Sequence, residues 1–192
     1  MSKVVVLTNL TLDGVMQGPA GPDEDRQGGF EHGGWAAPYV AMEATGNNFA
    51  SAGALLFGRR TYENFYAVWP KQTNSPYTEF LNTIPKYVAS TTLKEPLPWS
   101  NSTLLKGDAA QAVSQLKEQP GKDLLIMGSG ELIQSLMRAN LIDDYVLLIH
   151  PLVLGSGRRL FPDGGAPATL RLVTTSTTDK GVVIATYQPV SK

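Results

Sequence analysis

The chain has 192 residues, 42% of them apolar, and sixteen basic residues stand against seventeen acidic ones for a formal charge of −1. That is enough apolar material for one core and excludes a disordered chain, while the near-neutral balance argues against nucleic acid as a partner. With no cysteine, disulfides, thiolate zinc sites, iron–sulfur clusters and a cysteine nucleophile are all excluded.

No stretch reaches the ~20 apolar residues of a membrane span, and the opening Val4–Leu7 run is too short for the core of a signal peptide. The expectation is one soluble, cytoplasmic domain over residues 1–192, without a membrane partner. Residues 4–10 read as a buried strand that ends at the turn Asp13-Gly14. Residues 17–34 form a Gly/Pro/Asp-rich loop, long enough to serve as a mobile cover. Pro38 fits the first position of a helix running to about Thr45. Ala54–Phe57 is a second strand, followed by Gly58-Arg59-Arg60-Thr61 and a short helix that Pro70 stops. Lys86–Ala89 is a third strand, ending in Ser90-Thr91-Thr92. Asp108 is placed to cap a helix with Ala112, Val113 and Leu116 at helical spacing. Leu124–Met127 is a strand opening into Gly128-Ser129-Gly130, and the next helix sets Leu132, Ile133, Leu136 and Met137 on one face. Tyr145–Ile149 is again a strand. Residues 170–178 and 182–186 flank Asp179-Lys180-Gly181 as a hairpin. Alternating strands and helices imply an α/β fold: a three-layer α/β/α arrangement whose mostly parallel mixed sheet ends in an antiparallel C-terminal edge.

Three strands thus end in polar or glycine-bearing turns, at 58–61, 90–92 and 128–130. In an open α/β sheet, ligands bind beyond the carboxyl ends of the strands. Two of these turns lead into helices, whose free amides and dipole favour phosphate. Gly128-Ser129-Gly130 is not the full dinucleotide fingerprint, because Ile133 stands where its third glycine belongs, and it lacks the Gly-Lys-Ser/Thr ending of a P-loop. The conjunction of the three turns carries the argument.

The segments Gly58-Arg59-Arg60-Thr61-Tyr62-Glu63, Val88-Ala89-Ser90-Thr91-Thr92 and Ile126-Met127-Gly128-Ser129-Gly130-Glu131-Leu132 resemble the three cofactor segments of dihydrofolate reductases. The opening Leu10-Thr11-Leu12-Asp13-Gly14 and the later Pro151–Phe161 run, with Gly155-Ser156-Gly157-Arg158-Arg159, are more similar to the reductase domain of riboflavin biosynthesis and its stand-alone relatives. The resemblance spans residues 3 to 187 and implies a dihydrofolate reductase-like fold, NADPH as cofactor and a small-molecule substrate. It implies that Arg59 meets the 2′-phosphate, that Arg60 and Thr61 hold the pyrophosphate, and that Ser90 and Thr91 add hydroxyls near the 2′-phosphate. Gly128, Ser129 and Gly130 would pass under the pyrophosphate and nicotinamide ribose, with Glu131 and Leu132 completing the segment. In that family the turn contains a cis peptide, which would fall at Gly128–Ser129, although a cis bond before serine costs about 3 kcal/mol. A homodimer through the antiparallel edge is a further expectation by resemblance.

The bifunctional riboflavin enzymes add a deaminase domain with cysteine zinc ligands, which this chain lacks. The expected activity is therefore NADPH-dependent hydride transfer to a small heterocyclic, carbonyl or imine substrate. The alternatives are reduction of a ribosylaminopyrimidine phosphate, with Arg158 and Arg159 taking its phosphate, and NADP binding without turnover. Glu43, on the predicted helix before the second strand, and Asp13, on the first turn, compete as proton donor. His32 and His150 have no carboxylates at a metal-ligand spacing, and no metal is expected. His150 reads as structural. Trp35, Tyr39, Phe49, Tyr62, Phe65 and Trp69 gather near the proposed cleft, where one or two could stack on a flat ring.

Overall fold

The computed structural model describes residues 2–40, 46–73 and 75–190. Consecutive Val and Leu residues favour extended backbone buried on both faces, and they form β1 (Val4–Thr11), β2 (Ala52–Gly58), β5 (Asp123–Met127) and β6 (Asp144–His150). β3 (Lys86–Ala89) and β4 (Ser102–Leu105) are short, and β7 (Leu170–Thr177) and β8 (Val183–Pro189) close the chain. Between them lie α1 (Gly46–Ser51), α2 (Arg59–Val68), α3 (Pro76–Thr83), α4 (Ala109–Glu118) and α5 (Gly130–Arg138).

All eight strands join one sheet in the order β4-β3-β2-β5-β1-β6-β8-β7. The first six run parallel, and β8 pairs antiparallel to both β6 and β7. The expected mixed sheet with an antiparallel C-terminal edge is therefore present.

Alternation along the strands divides the core, because successive side chains point to opposite faces. Val4, Val6, Leu56, Leu124 and Ile126 pack under α4 and α5, against Val113, Ile133 and Leu136. Val5, Leu7, Leu55, Phe57 and Leu125 face the other way, against Tyr62 of α2 and Leu81 of α3. No helix among the described residues is long and apolar enough to cross a membrane.

In its secondary structure, the protein departs from the sequence reading in three places. Pro38 opens only a 3-10 turn over Ala37–Tyr39, and Val40, at φ −54° and ψ 125°, leaves helical geometry. A continuous helix from Pro38 is thereby broken; residues 41–45 of the expected helix lie outside the described residues, and α1 (Gly46–Ser51) precedes β2. Two elements escape the reading altogether: α3, which begins at Pro76, and the edge strand β4.

Lys86 opens β3 with no exposed surface. Its Nζ donates to the carbonyls of Ile84 (2.8 Å) and Ser100 (3.2 Å) and sits 4.5 Å from the centre of the Trp99 ring. Burial pushes the ammonium pKa down to about 8, so it remains largely protonated at neutral pH. Lys86→Met should cost about 2–3 kcal/mol, because buried carbonyls are left unpaired. Urea unfolding at pH 7 measures this, and a variant as stable as the parent would contradict it.

Candidate active site at the carboxyl ends of the parallel strands

β3, β2 and β5 are neighbours, so their C-terminal turns lie side by side at the ~4.8 Å strand spacing. Residues 58–61, 90–92 and 128–132 all line one cleft of about 840 Å³. The β2 and β5 turns are stitched together, since the Gly58 amide donates to Ser129 Oγ at 2.9 Å. Ser129 takes a left-handed conformation (φ 65°, ψ 53°) to reach this position, at a cost of about 1–2 kcal/mol for a residue with a Cβ. Gly128 precedes it at φ 67°, and a Cβ there would lie 3.4 Å from Thr61 Cγ2, so the turn runs close beside the start of α2. The Gly128–Ser129 peptide is trans, and the expected cis bond is not formed. Two successive left-handed residues make the reversal instead.

Electrostatics separate the helices that open on the cleft. α4 is capped by Asp108, whose carboxylate accepts the Gln111 amide at 2.8 Å. The N-caps of α2 and α5, Gly58 and Ser129, make no side-chain capping bond, so both starts keep donors for an anion. Arg59 pairs with Glu63 (3.1 Å) and Arg60 with Glu131 (3.5 Å), each on a substantially exposed surface. Such pairs contribute about 0–1 kcal/mol and give way readily to a phosphate. Ser90 Oγ accepts the Thr92 and Leu93 amides at 3.1 and 3.0 Å, which fixes its turn. Thr91 also lines the cleft.

Beyond the ends of β1 and β6 the cleft continues as a chamber with an aromatic wall, Phe65, Trp69 and Tyr77, and an apolar floor that includes Leu7, Leu148 and Ile184. Trp69 meets Tyr77 edge-on at 4.9 Å. Tyr39, also in the lining, packs its ring 5.4 Å from that of His150. Trp35, Phe49 and Tyr62 belong to the packed interior rather than to the cleft wall; the Tyr62 hydroxyl accepts the Trp99 amide at 3.0 Å.

Of the two proposed proton donors, Glu43 lies outside the described residues. Asp13 is outside the cleft lining. Its carboxylate accepts the Thr11 hydroxyl (2.6 Å) and the amides of Leu154 (3.2 Å) and Gly155 (2.9 Å). The Thr11 hydroxyl foremost, and then those amides, hold its pKa below the ordinary carboxylate value. An acid so firmly ionised suits a turn and is a poor proton donor. Sequence reasoning missed Glu24, which lines the cleft. Burial raises its pKa, against the amides of Ala20 and Gly21 that donate to it. Its position inside a Gly/Pro-rich loop gave no periodic signal.

That loop is built as a wall. Val15, Phe30, Trp35 and Ala36 form a small core of their own with Leu152 and Leu154. Gln17, buried, donates to Asp25 Oδ1 (3.1 Å) and the Gln27 carbonyl (3.0 Å) and accepts the Arg158 amide (3.0 Å). Arg158 pairs with Asp25, and Arg159 Nε donates to the Asp13 carbonyl at 2.9 Å. Arg158 thus fastens the 155–159 segment to the loop, and Arg159 fastens it to the Asp13-Gly14 turn. Gly157 is required there, because at φ 113° an added Cβ would come within 2.7 Å of the Phe30 ring. Among the described residues no cluster of three His, Asp or Glu forms a metal site.

His150 is 2% exposed, and burial lowers its pKa to about 4. Its ordinary value is 6.5, so between pH 6.5 and 4 the unfolded chain binds the proton and the folded one does not. The stability that His150 contributes is complete above pH 6.5 and lost as pH falls through that window, by up to about 3 kcal/mol. In urea titrations at stepped pH, His150→Phe should show a shallower loss than the parent over this interval. Parallel profiles would contradict the assignment.

Comparison with known proteins agrees with this geometry. The RibD C-terminal domain family matches residues 2–184. The uncharacterized protein YyaP of Bacillus subtilis is 31% identical over 137 residues, covering 69% of this chain and 72% of that protein. A putative riboflavin biosynthesis protein from Shewanella sp. PV-4 shares the fold at a TM-score of 0.73, with 21% identity over the whole of both chains. Dihydrofolate reductase from Enterococcus faecalis, solved in complex with NADP(H), superposes at a TM-score of 0.63 with 13% identity, covering 98% of this chain and 97% of that one. Matched over nearly its whole length, the chain belongs to the RibD C-terminal domain family and carries a dihydrofolate reductase-like fold.

Proposed function

We propose that the protein is an NADPH-dependent reductase that transfers hydride to a small heterocyclic, carbonyl or imine substrate. The observation that carries this reading is the continuity of one cleft, from the arginine-bearing turn after β2 and the glycine-bearing turn after β5 to the aromatic chamber beyond β1 and β6. Membership of a reductase-bearing family points the same way. NADPH supplies the hydride when bound, and the protein's tasks are binding, orientation, exclusion of water and supply of a proton.

The residues present fit such a group. Arg59 offers a planar fork to the 2′-phosphate. Arg60, Thr61 and the uncapped amides opening α2 and α5 suit a pyrophosphate, as does Gly128, which has no Cβ to hold a ligand away. Ser90 and Thr91 add hydroxyls at the third turn, and Ser129, Gly130, Glu131 and Leu132 complete the wall opposite. The chamber is the substrate's place in this reading. Its apolar lining favours an uncharged ring, whereas Arg158 and Arg159, which also line the cleft, would have to release Asp25 and the Asp13 carbonyl to take the phosphate of a pyrimidine substrate.

For the proton, the described carboxyls in the cleft divide by what they already do. Asp25 pairs with Arg158, Asp108 caps α4 and Glu131 pairs with Arg60. Glu24 is the one whose pKa burial raises, as a proton donor working near neutral pH requires. Glu43 remains its competitor.

Calorimetric titration should give at least tenfold tighter binding of NADPH than of NADH, about 1.4 kcal/mol. Arg59→Ala should remove most of that preference and leave NADH nearly unaffected; equal affinities in the parent would contradict the assignment. For a reducible substrate found by the fall in NADPH absorbance, Glu24→Gln should lower kcat by about 10²-fold with NADPH affinity retained. In the parent, kcat should decline as pH rises through the elevated pKa of Glu24. A loss confined to Glu43→Gln would transfer the role to that residue.

A further inference from the structure

Asn9 stands at the C-terminal end of β1, in register with Leu148 of β6. It lies on the strand face of Leu7, toward the aromatic chamber, and lines the cleft. An amide in an otherwise apolar floor loses hydration unless something pairs with it. One side of it is paired: Asn9 Oδ1 lies 2.9 Å from Nε2 of His150, at the end of β6. His150 is buried and lines the same cleft, and its Nδ1 is buried with no hydrogen-bond partner. Among the described residues nothing accepts from the Asn9 amide nitrogen.

These facts fix the polarity of the pair. An imidazole held neutral carries one N–H, on either nitrogen. A buried N–H without an acceptor is rarer and costlier than a buried acceptor without a donor, so the proton belongs on Nε2. The Nε2–H then donates to Asn9 Oδ1, and the Asn9 NH₂, which has no acceptor among the described residues, is left as the donor facing the chamber. Trp35 and Tyr39, with ring centroids 5.2 and 5.4 Å from that of His150 and nearly perpendicular to it, confine the imidazole. His150 acts through Asn9 and is a positioning residue.

We propose that Asn9, clamped by His150, selects the substrate of this chamber: a flat, uncharged ring bearing a hydrogen-bond acceptor, a carbonyl oxygen or a ring nitrogen, at the edge that meets β1. The inference rests on the chamber being the substrate side of the reductase proposed above, and it adds which ring edge is read. A site built to donate to an acceptor discriminates against a ring lacking it, since the donor is then buried unpaired.

The test uses the full chain, with and without NADPH, and a panel of bicyclic rings: lumazine, quinazolin-4-one and quinoxaline as acceptor-bearing probes and naphthalene as the ring without one. The parent should bind at least one acceptor-bearing ring tenfold or more tightly than naphthalene. Asn9→Leu should abolish that difference by weakening the acceptor-bearing ring while naphthalene binds as well or better. His150→Phe should weaken that ring about tenfold, whereas His150→Gln, whose terminal amide can replace the Nε2–H, should restore affinity to within about threefold. A purely structural histidine would lose or keep affinity equally in both variants, and melting temperatures identify any variant that fails to fold. A parent that does not prefer acceptor-bearing rings overturns the proposal, as does an Asn9→Leu variant that retains the preference. NADPH titrated into the same samples reads the cofactor proposal separately. Ring discrimination without NADPH binding overturns only the cofactor proposal, and NADPH binding without ring discrimination overturns only the role of Asn9.

Discussion

Six parallel strands that share one sheet must all end on the same side of it, and the rest of this protein's chemistry depends on that constraint. β3, β2 and β5 are adjacent, so three turns far apart in sequence become one continuous rim. β1 and β6 extend the rim sideways into the chamber. The hydrogen bond from the Gly58 amide to Ser129 Oγ ties the two most important turns together. The left-handed conformation of Ser129 is a local cost offset by this bond, and the start of α5 is left with donors free for an anion. Strain concentrated at a ligand-facing turn is common in sites that are organised before the ligand arrives.

The cleft has two chemical characters. The side formed by the β2, β3 and β5 turns is made of backbone amides, two arginines and hydroxyls, all near solvent and weakly committed. Its chamber side is made of packed aromatic rings and the hydrogen-bonded pair of half-buried Asn9 and buried His150. The 17–34 loop and the 155–159 segment are bound to each other through Gln17, Asp25 and Arg158, and together they form one wall of the cleft. Exclusion of water and fixed polarity are what a hydride acceptor requires of its surroundings.

Much of the sheet was legible because it rests on local signals. The Val and Leu runs of β1, β2, β5 and β6 announce strands buried on both faces, and Asp108 caps α4 as its position before an apolar helix indicates. What was illegible depends on contacts distant in sequence. β4 is four residues, three half-buried and one exposed, whose strand identity comes from pairing with β3. Pro38 is a sound helix-start signal, but one turn of 3-10 helix satisfies it equally. Asp13-Gly14 is correctly read as a turn, yet nothing near Asp13 reveals that its carboxylate is consumed by amides 141 and 142 residues away. Asn9 and His150 are likewise 141 residues apart. A polar residue closing a buried Val/Leu strand was the available hint of a site, and it becomes interpretable only when the partner strand is known.

The central claim is that a dinucleotide lies along the rim formed by the β2, β3 and β5 turns. At 20.7 kDa the protein is accessible to amide-resolved NMR, and a titration with NADPH tests the claim most directly. The account predicts saturable shifts concentrated at the amides of residues 58–61, 90–92 and 128–132, with those of the β7–β8 hairpin edge unmoved. Shifts centred elsewhere on the sheet, or none at millimolar NADPH, would contradict it.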